Sequence, residues 1–223
     1  MKKVIIALPG REYSGSFLCN WSQSLVEMTK KGYQISLVNE YSSFVAFSRM
    51  KTLGLDVLRG GTQTPFGGEK EYDVWVTIDS DIFFSPEQLI ELIEDTDKYP
   101  VISGLYKMID LKHYAAVKDW DLEYFKKNGS FEFINVSTLD KKEKYIDVAY
   151  NGMGFFACRK GVIEKLTYPY FSYPLLEIET EDGKVLRDMC SEDVAFCKNL
   201  KDAGYKVMVN TGLCVGHEKK LVI

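Results

Sequence analysis

Two acids separated by one small residue, Asp79-Ser80-Asp81, follow the apolar run Val74-Trp75-Val76-Thr77-Ile78. Branched and aromatic residues favour a buried strand, so the acids fall at its carboxyl end, where open α/β sheets bind ligands. If the chain stays extended there, Asp79 and Asp81 point to the same side. Their hard oxygens can then converge on one divalent cation, Mn²⁺ or Mg²⁺, and its diphosphate. Ser80 adds little bulk between them. The bland alternative is a polar turn leaving a strand. Gly216-His217-Glu218 carries one of only two histidines. A lone histidine is usually structural, yet an imidazole joined to a carboxylate pair makes a mixed nitrogen and oxygen site suited to such an ion, so His217 is the third candidate ligand.

Ser191-Glu192-Asp193 opens a helical pattern. Ser is a standard cap and acids in the first turn complement the helix dipole, which accounts for all three. The functional alternative makes one carboxylate a general base toward an attacking hydroxyl, kept ionised by the dipole. In Asn151-Gly152-Met153-Gly154, two glycines flanking one residue permit close approach of backbone to a bound group, or form a structural bulge. Arg49 lies in an apolar helical segment and could meet a phosphate or base, with a snorkelling surface arginine as the default. Arg11, after the first strand, has the same two readings.

These groups are positioned by alternating strand and helix signals. A strand over 4 to 8 precedes a helix whose apolar Phe17, Trp21, Leu25 and Met28 recur at helical spacing before Gly32. A second strand spans Tyr33 to Val38. Ser42 or Ser43 can cap a short helix through Leu53, which Gly54 can end. Such βαβα patterning implies a mainly parallel sheet, with strand ends at Pro9, Asn39 and Asp79 along one edge and a ligand cleft there. Residues Arg59 to Gly68, with four glycines, a proline and Thr62-Gln63-Thr64, suit a mobile loop beside that cleft. Ser85-Pro86-Glu87-Gln88 is a capping box ahead of Leu89, Ile90, Leu92 and Ile93. From about Tyr106 to Tyr145 the pattern is irregular, polar and aromatic. Ser191 to Ala203 then forms a helix ended by Gly204, followed by a strand from Tyr205 to Val209.

The 223 residues, 46% of them apolar, can bury the core of one domain. That domain is expected to read as two halves, about 1-105 with strand-helix alternation and about 106-223 of α+β character. With 28 basic and 32 acidic side chains the net charge is -4, which offers no footprint for a nucleic-acid polymer. Five scattered cysteines without a Cys-x-x-Cys pair suggest neither a disulfide framework nor a zinc knuckle. Met1-Lys2-Lys3 and the short apolar run after it make a first strand rather than a signal peptide. No window approaches the roughly twenty apolar residues that span a bilayer. A cytoplasmic location is expected, that of the host if the source is a virus.

Taken in order, Pro9-Gly10-Arg11, Ser48-Arg49-Met50, Ile78-Asp79-Ser80-Asp81, Gly152-Met153-Gly154-Phe155, Ser191-Glu192-Asp193 and Gly216-His217-Glu218 resemble a GT-A-type glycosyltransferase. The resemblance spans nearly the whole chain and looks closest to compact glycosyltransferases of large DNA viruses, phages and some bacteria. Gly60-Gly61 and Gln63-Thr64-Pro65 loosely match the Gly-Gly and Gln-Pro loop of that group. The resemblance implies a GT-A (nucleotide-diphospho-sugar transferase) fold: a Rossmann-like, mainly parallel sheet flanked by helices, with a smaller mixed sheet in the second half. It also implies that Asp79 faces the ribose or the metal, Asp81 ligates the metal, His217 completes the coordination and Asp193 is the catalytic base. Glu192 would hold acceptor hydroxyls. Pro9, Gly10, Arg11, Asn39 and Arg49 would line the nucleotide pocket beside Ser80, and Gly152, Met153 and Gly154 would floor the donor-sugar site. The implied donor is a nucleotide-sugar, a UDP-sugar foremost, and the acceptor a glycan or glycoside. Two departures stand out: the family's Ala-Arg-Asn is here Ser48-Arg49-Met50, and no Asp follows the second strand, leaving Asn39 and Glu40.

Two other classes compete. A haloacid-dehalogenase-type phosphatase also carries Asp-x-Asp at a strand end, but on an early strand, whereas two strand-helix units precede it here. A non-catalytic carbohydrate-binding protein could stack sugars on the 14 tyrosines, 13 phenylalanines and three tryptophans.

Overall fold

The computed structural model describes residues 1–61, 63–140 and 142–219; Thr62, named above in the glycine-rich loop, lies outside them. In chain order the strands are β1 (Lys3–Pro9), β2 (Gln34–Glu40), β3 (Val74–Ile78), β4 (Ile82–Phe83), β5 (Val101–Tyr106), β6 (His113–Val117), β7 (Phe133–Asn135), β8 (Tyr145–Val148), β9 (Tyr150–Asn151), β10 (Phe155–Arg159), β11 (Leu175–Glu179), β12 (Val185–Met189) and β13 (Val207–His217). The helices are α1 (Gly15–Lys30), α2 (Val45–Thr52), α3 (Pro86–Asp95), α4 (Leu122–Asn128) and α5 (Glu192–Asp202).

The central sheet has strand order β2-β1-β3-β10-β5-β13-β4, with β8 also on β13. Strands β1, β2 and β3 are parallel to one another, as are β5 and β13, while β10 runs antiparallel between β3 and β5. The expectation of a mainly parallel sheet therefore holds, with β10 inserted in reverse and β4 and β8 antiparallel to β13. Local alternation cannot announce that insertion, because Phe155 to Arg159 is a continuous apolar run equally suited to either direction. Beyond the central sheet lie an antiparallel hairpin, β11-β12, and a three-stranded antiparallel sheet, β7-β6-β9. The second half thus supplies antiparallel sheets rather than one mixed sheet, and gives order to the stretch that looked irregular.

The period-2 alternation of each central strand sorts its side chains between two faces. Val4, Ile6 and Leu8 of β1 and Val74, Val76 and Ile78 of β3 pack with Phe17, Trp21 and Met28 of α1 and Leu89, Ile90, Leu92 and Ile93 of α3. Ile5, Ala7 and Trp75 face the other way, with Ala46 of α2 and Phe196, Cys197 and Leu200 of α5. Helices α1 and α3 therefore cover one face, α2 and α5 the other. The order β2-β1-β3 reverses direction between β1 and β3, and such a topological switch point opens a crevice at the carboxyl ends of the strands. Pro9 and Asp79 lie there, as expected.

Several local expectations hold. Ser85 and Gln88 bond reciprocally in the capping box. Helix α1 is capped by Ser14, whose side chain accepts from Phe17 N, a cap not anticipated from the sequence. Others need correction. Helix α2 starts after Phe44 with no side-chain cap; Ser42 instead donates its backbone N–H to Ser48 Oγ at 2.8 Å. The glycine-rich segment is pinned rather than free. Gln63 Nε2 donates to Asp56 O at 2.6 Å and Gly60 O at 3.0 Å, Tyr170 donates to Gln63 O, and Phe66 N donates to Leu53 O at 2.7 Å. The last strand runs on to His217, beyond the expected Val209, because a bulge between Val209 and Cys214 lets β13 resume its register.

Candidate active site

The chain does not stay extended after β3. Ile82 N bonds back to Asp79 O at 3.1 Å, closing a turn over Asp79 to Ile82, so the two acids diverge. Thr77 and Asp79 keep the parity of Trp75 and face α2 and α5, whereas Asp81 turns toward the end of β13. Gly10 makes the turn possible from below: a Cβ there would come 2.9 Å from Ser80 Cβ, so Gly10 and the small Ser80 let the β1 and β3 ends touch.

Arg49, whose default place was the surface, is 2% exposed and stands at the centre of the α2/α5 side. Its Nη2 donates to Asp79 Oδ2 at 3.1 Å, Nε to Glu192 Oε1 at 3.3 Å and Nη1 to Thr77 Oγ1 at 3.3 Å. Nη1 also lies 3.0 Å from Asp79 Oδ1, and Nη2 lies 3.6 Å from Asp193 Oδ1. Both contacts are within ion-pair range but do not form hydrogen bonds, so these two buried carboxylate oxygens remain without a hydrogen-bond donor. Burial would lower the proton affinity of Arg49, but Asp79, Asp193 and Glu192 reverse this and hold the guanidinium firmly charged. Asp193 goes the opposite way from the expectation set by its helix dipole. Burial foremost raises its pKa well above the ordinary aspartate value, with Glu192 and Asp79 adding to it and Arg49 opposing. Desolvation outweighs the dipole because the carboxyl faces inward from the first turn of α5 rather than into solvent.

The glycine turn joins the two acids. Asp79 N donates to Gly154 O at 2.9 Å, and Met153 N donates to Asp193 Oδ2 at 3.3 Å. Both glycines are needed for a close approach, here of a side chain: a Cβ on Gly152 would lie 2.1 Å from Tyr106 Oη, and one on Gly154 2.9 Å from the Tyr106 ring. Tyr106 in turn packs edge-on against His217 with ring centroids 4.9 Å apart.

Across the turn, β13 pairs with β4 so that His217 stands opposite Ile82, and Glu218 N donates to Asp81 O at 2.7 Å. This register brings His217 Nε2 to 3.1 Å from Asp81 Oδ2, while Nδ1 lies 2.9 Å from Lys107 O. Lys219 Nζ reaches the same Asp81 oxygen at 2.7 Å. Burial would raise the pKa of Asp81, but hydrogen bonds from His217 and Lys219 pull it down to about 2. The hydrogen bond with Asp81 raises that of His217, against its own partial burial.

Asn39 supports the loop after β1. Its Nδ2 lies 2.8 Å from Leu8 O, Gly10 O and Tyr13 Oη. Burial and nearby Asp79 push Tyr13 up to about 12, so it stays a neutral donor. Beside it, a cleft of about 760 Å³ is lined by Arg11, Tyr13, Tyr41, Ser80, Asp81 and Lys219. Arg11 stacks over Tyr41 at 5.8 Å.

The site therefore unites Arg49, Asp79, Glu192, Asp193 and Gly152 to Gly154 on one side of the turn, and Asp81 with His217 on the other. Asp79 does not join the second group, and the described residues hold no cluster of three or more His, Cys, Asp or Glu side chains placed to coordinate a metal. The chemistry of the two remaining donors still fits a hard divalent cation. With Nδ1–H directed at the Lys107 carbonyl, a neutral His217 presents its Nε2 lone pair beside a carboxylate, and Mg²⁺-type sites use one or two protein ligands plus substrate phosphates. Sequence reasoning missed Lys219 and Thr77. Thr77 had a signal, as the one polar residue within the apolar β3; Lys219 offered only its place two residues after His217.

No protein-family model matches the chain, and no curated protein matches it by sequence. Among solved structures, the chain is similar to the crystal structure of A197 from STIV, at 18% identity and a TM-score of 0.54, covering 99% of this chain and 87% of that one. It also matches the inositol-1-phosphate CTP transferase from T. maritima at 13% identity and a TM-score of 0.45, over 98% of this chain and 89% of that one. The first likeness shows the fold alone: a mixed α/β protein with a large, mainly parallel, Rossmann-like central sheet. No helix among the described residues is long and apolar enough to cross a membrane.

Two predictions test this electrostatic arrangement. Replacing Arg49 with Met leaves three carboxylates without their shared cation, and should cost about 3–5 kcal/mol, the usual penalty for removing one partner of a buried pair. Urea denaturation of Arg49→Met against wild type measures it. His217 has a raised folded-state pKa, so its pairing with Asp81 stabilises the metal-free protein most below about pH 6.5, and the gain is lost as pH rises through the folded pKa. Because the Asp81 side chain is 42% exposed, the effect is under about 1 kcal/mol. Melting of His217→Gln should accordingly fall below wild type at pH 5.5 and converge with it at pH 9.

Proposed function

We propose that the protein is a metal-dependent GT-A-type glycosyltransferase that moves a sugar from a nucleotide-sugar, a UDP-sugar foremost, to a hydroxyl of a glycan or glycoside. One observation carries this reading. A carboxyl of raised proton affinity, Asp193, and a cation-attracting pair, Asp81 and His217, lie on either side of the same strand end at the switch point.

In this mechanism the acceptor oxygen attacks the anomeric carbon and passes its proton to Asp193. The bond from that carbon to the diphosphate oxygen breaks with its electron pair, the nucleoside diphosphate leaves, and one displacement inverts the anomeric centre. A base is most effective when its pKa approaches the working pH, and burial moves Asp193 in that direction. Met153 N fixes Asp193 Oδ2, and the acceptor hydroxyl would have to displace the packing around the buried Oδ1 to reach it. Glu192 would hold further acceptor hydroxyls, and Asp79, held at Oδ1 and Oδ2 by Arg49, would contact the donor's ribose. Arg49 acts through Asp79, Glu192 and Asp193 rather than on the nucleotide directly. Pro9, Gly10, Arg11 and Ser80, with Asn39 bracing them, form the nucleotide wall. Gly152 to Gly154 lie under the sugar. Asp81 and His217 would hold Mn²⁺ or Mg²⁺, whose contribution is to neutralise charge on the departing diphosphate.

The direct test is thermal melting with UDP, GDP, CDP and dTDP, each with and without Mn²⁺. Ligand at about 100 times its dissociation constant adds roughly 2.7 kcal/mol, or several degrees. A metal-dependent shift with one nucleotide is expected, and it should vanish in Asp81→Ala. No shift with any of the four would overturn the reading. Once the donor is known, kcat/KM should fall with decreasing pH, because only ionised Asp193 accepts the proton. That acid limb should lie well above the roughly pH 4 of an ordinary aspartate, and a limb at pH 4 would remove Asp193 as the base.

A further inference from the structure

Lys219, a charged group at the cleft, has no part in the chemistry above. Lys219 Nζ sits 2.7 Å from Asp81 Oδ2, the oxygen that His217 Nε2 also approaches at 3.1 Å. A divalent cation held by Asp81 and His217 would need this oxygen, and an ammonium and a dication cannot both crowd it. Two like charges a few ångströms apart at a partly buried site repel strongly. Lys219 is therefore the natural competitor for the metal position.

We propose that Lys219 is a tethered counter-cation, which occupies the cation position at Asp81 until a diphosphate in the adjoining cleft draws it away. This rests on the reading that Asp81 and His217 hold a divalent ion. The chain is built for the exchange. Glu218 N is pinned to Asp81 O at 2.7 Å, which keeps the backbone in place, while the Lys219 side chain is 42% exposed on a flexible four-carbon stem. Lys219 and Arg11 line the cleft of about 760 Å³ together with the acids Glu12, Asp81 and Glu218, so an anion there needs these two cations to offset the acids around it. Departure of Lys219 toward that anion frees the carboxylate for the metal. Metal and diphosphate then favour each other's binding, and each lowers the cost of admitting the other. An ordinary surface ion pair would have no such consequence.

The test is the affinity for Mn²⁺ alone, read as free ion by electron paramagnetic resonance, in wild type, Lys219→Ala, Lys219→Met, Lys219→Arg and Asp81→Ala. Removing the competitor should tighten Mn²⁺ binding by roughly tenfold in the Ala and Met variants, within the usual range of coupling between sites. The Arg variant, which keeps the charge, should not bind more tightly than wild type. Without metal, inorganic pyrophosphate should raise the melting temperature of wild type more than that of Lys219→Ala. Equal Mn²⁺ affinity in wild type and all Lys219 variants, lost only in Asp81→Ala, would overturn the counter-cation while leaving the metal site. Mn²⁺ binding by none of the proteins would overturn both, and weaker binding by the Ala variant would make Lys219 a helper rather than a competitor.

Discussion

A single buried guanidinium allows three carboxylates to meet at the end of β3. Asp79 follows β3 while Glu192 and Asp193 open α5, and without Arg49 each would face desolvation and the repulsion of the other two. The arrangement demands that α2 and α5 lie on the same face of the sheet, which the alternation of β1 and β3 enforces. It also leaves an imbalance of three acids to one cation. Burial foremost, with that imbalance adding to it, gives Asp193 its high proton affinity. The ion cluster that holds the fold together at this point thus also sets the proton affinity of Asp193, the base of the proposed reaction.

The second constraint is the turn from Asp79 to Ile82. Were the strand to continue, both acids would face Arg49 and nothing would hold a cation on the cleft side. The turn sends Asp81 to the end of β13, where the pairing of Gly216 and His217 with Phe83 and Ile82 fixes an imidazole beside it. Close packing makes the turn specific. A Cβ on Gly10 would collide with Ser80, and one on Gly216 would lie 2.9 Å from Phe83 Cβ. Asp79, bound to Arg49, and Asp81, beside His217, thus point apart although only Ser80 lies between them.

Much of this was legible in the sequence wherever the signal was local. Helical spacing marked α1, the reciprocal Ser85 and Gln88 bonds were readable from their types, and the apolar run before Asp79 announced β3 and its position at the sheet edge. Long-range pairing was not legible. Arg49 is buried because of a carboxylate 143 residues away, and nothing within α2 distinguishes it from a snorkelling arginine. The divergence of Asp79 from Asp81 depends on a turn that the same three residues could have avoided by staying extended. Strand β10 enters the sheet in reverse because of tertiary topology, and the small sheet β7-β6-β9 forms from pairings that its irregular polarity conceals. The residue types at the strand end were readable from the sequence, whereas which of them meet came only from the fold.

The central claim is that this cleft breaks the bond between a sugar and a nucleoside diphosphate with Asp193 as base. The most direct measurement is release of nucleoside diphosphate from UDP-, GDP-, CDP- and dTDP-sugars, with Mn²⁺ and a panel of glycoside acceptors, by wild type and Asp193→Asn. The account predicts turnover of one donor by wild type, and a rate slower by about 10²-fold or more in Asp193→Asn, whose melting temperature stays close to that of wild type. Release from no donor, or an Asn variant as fast as wild type, would contradict it.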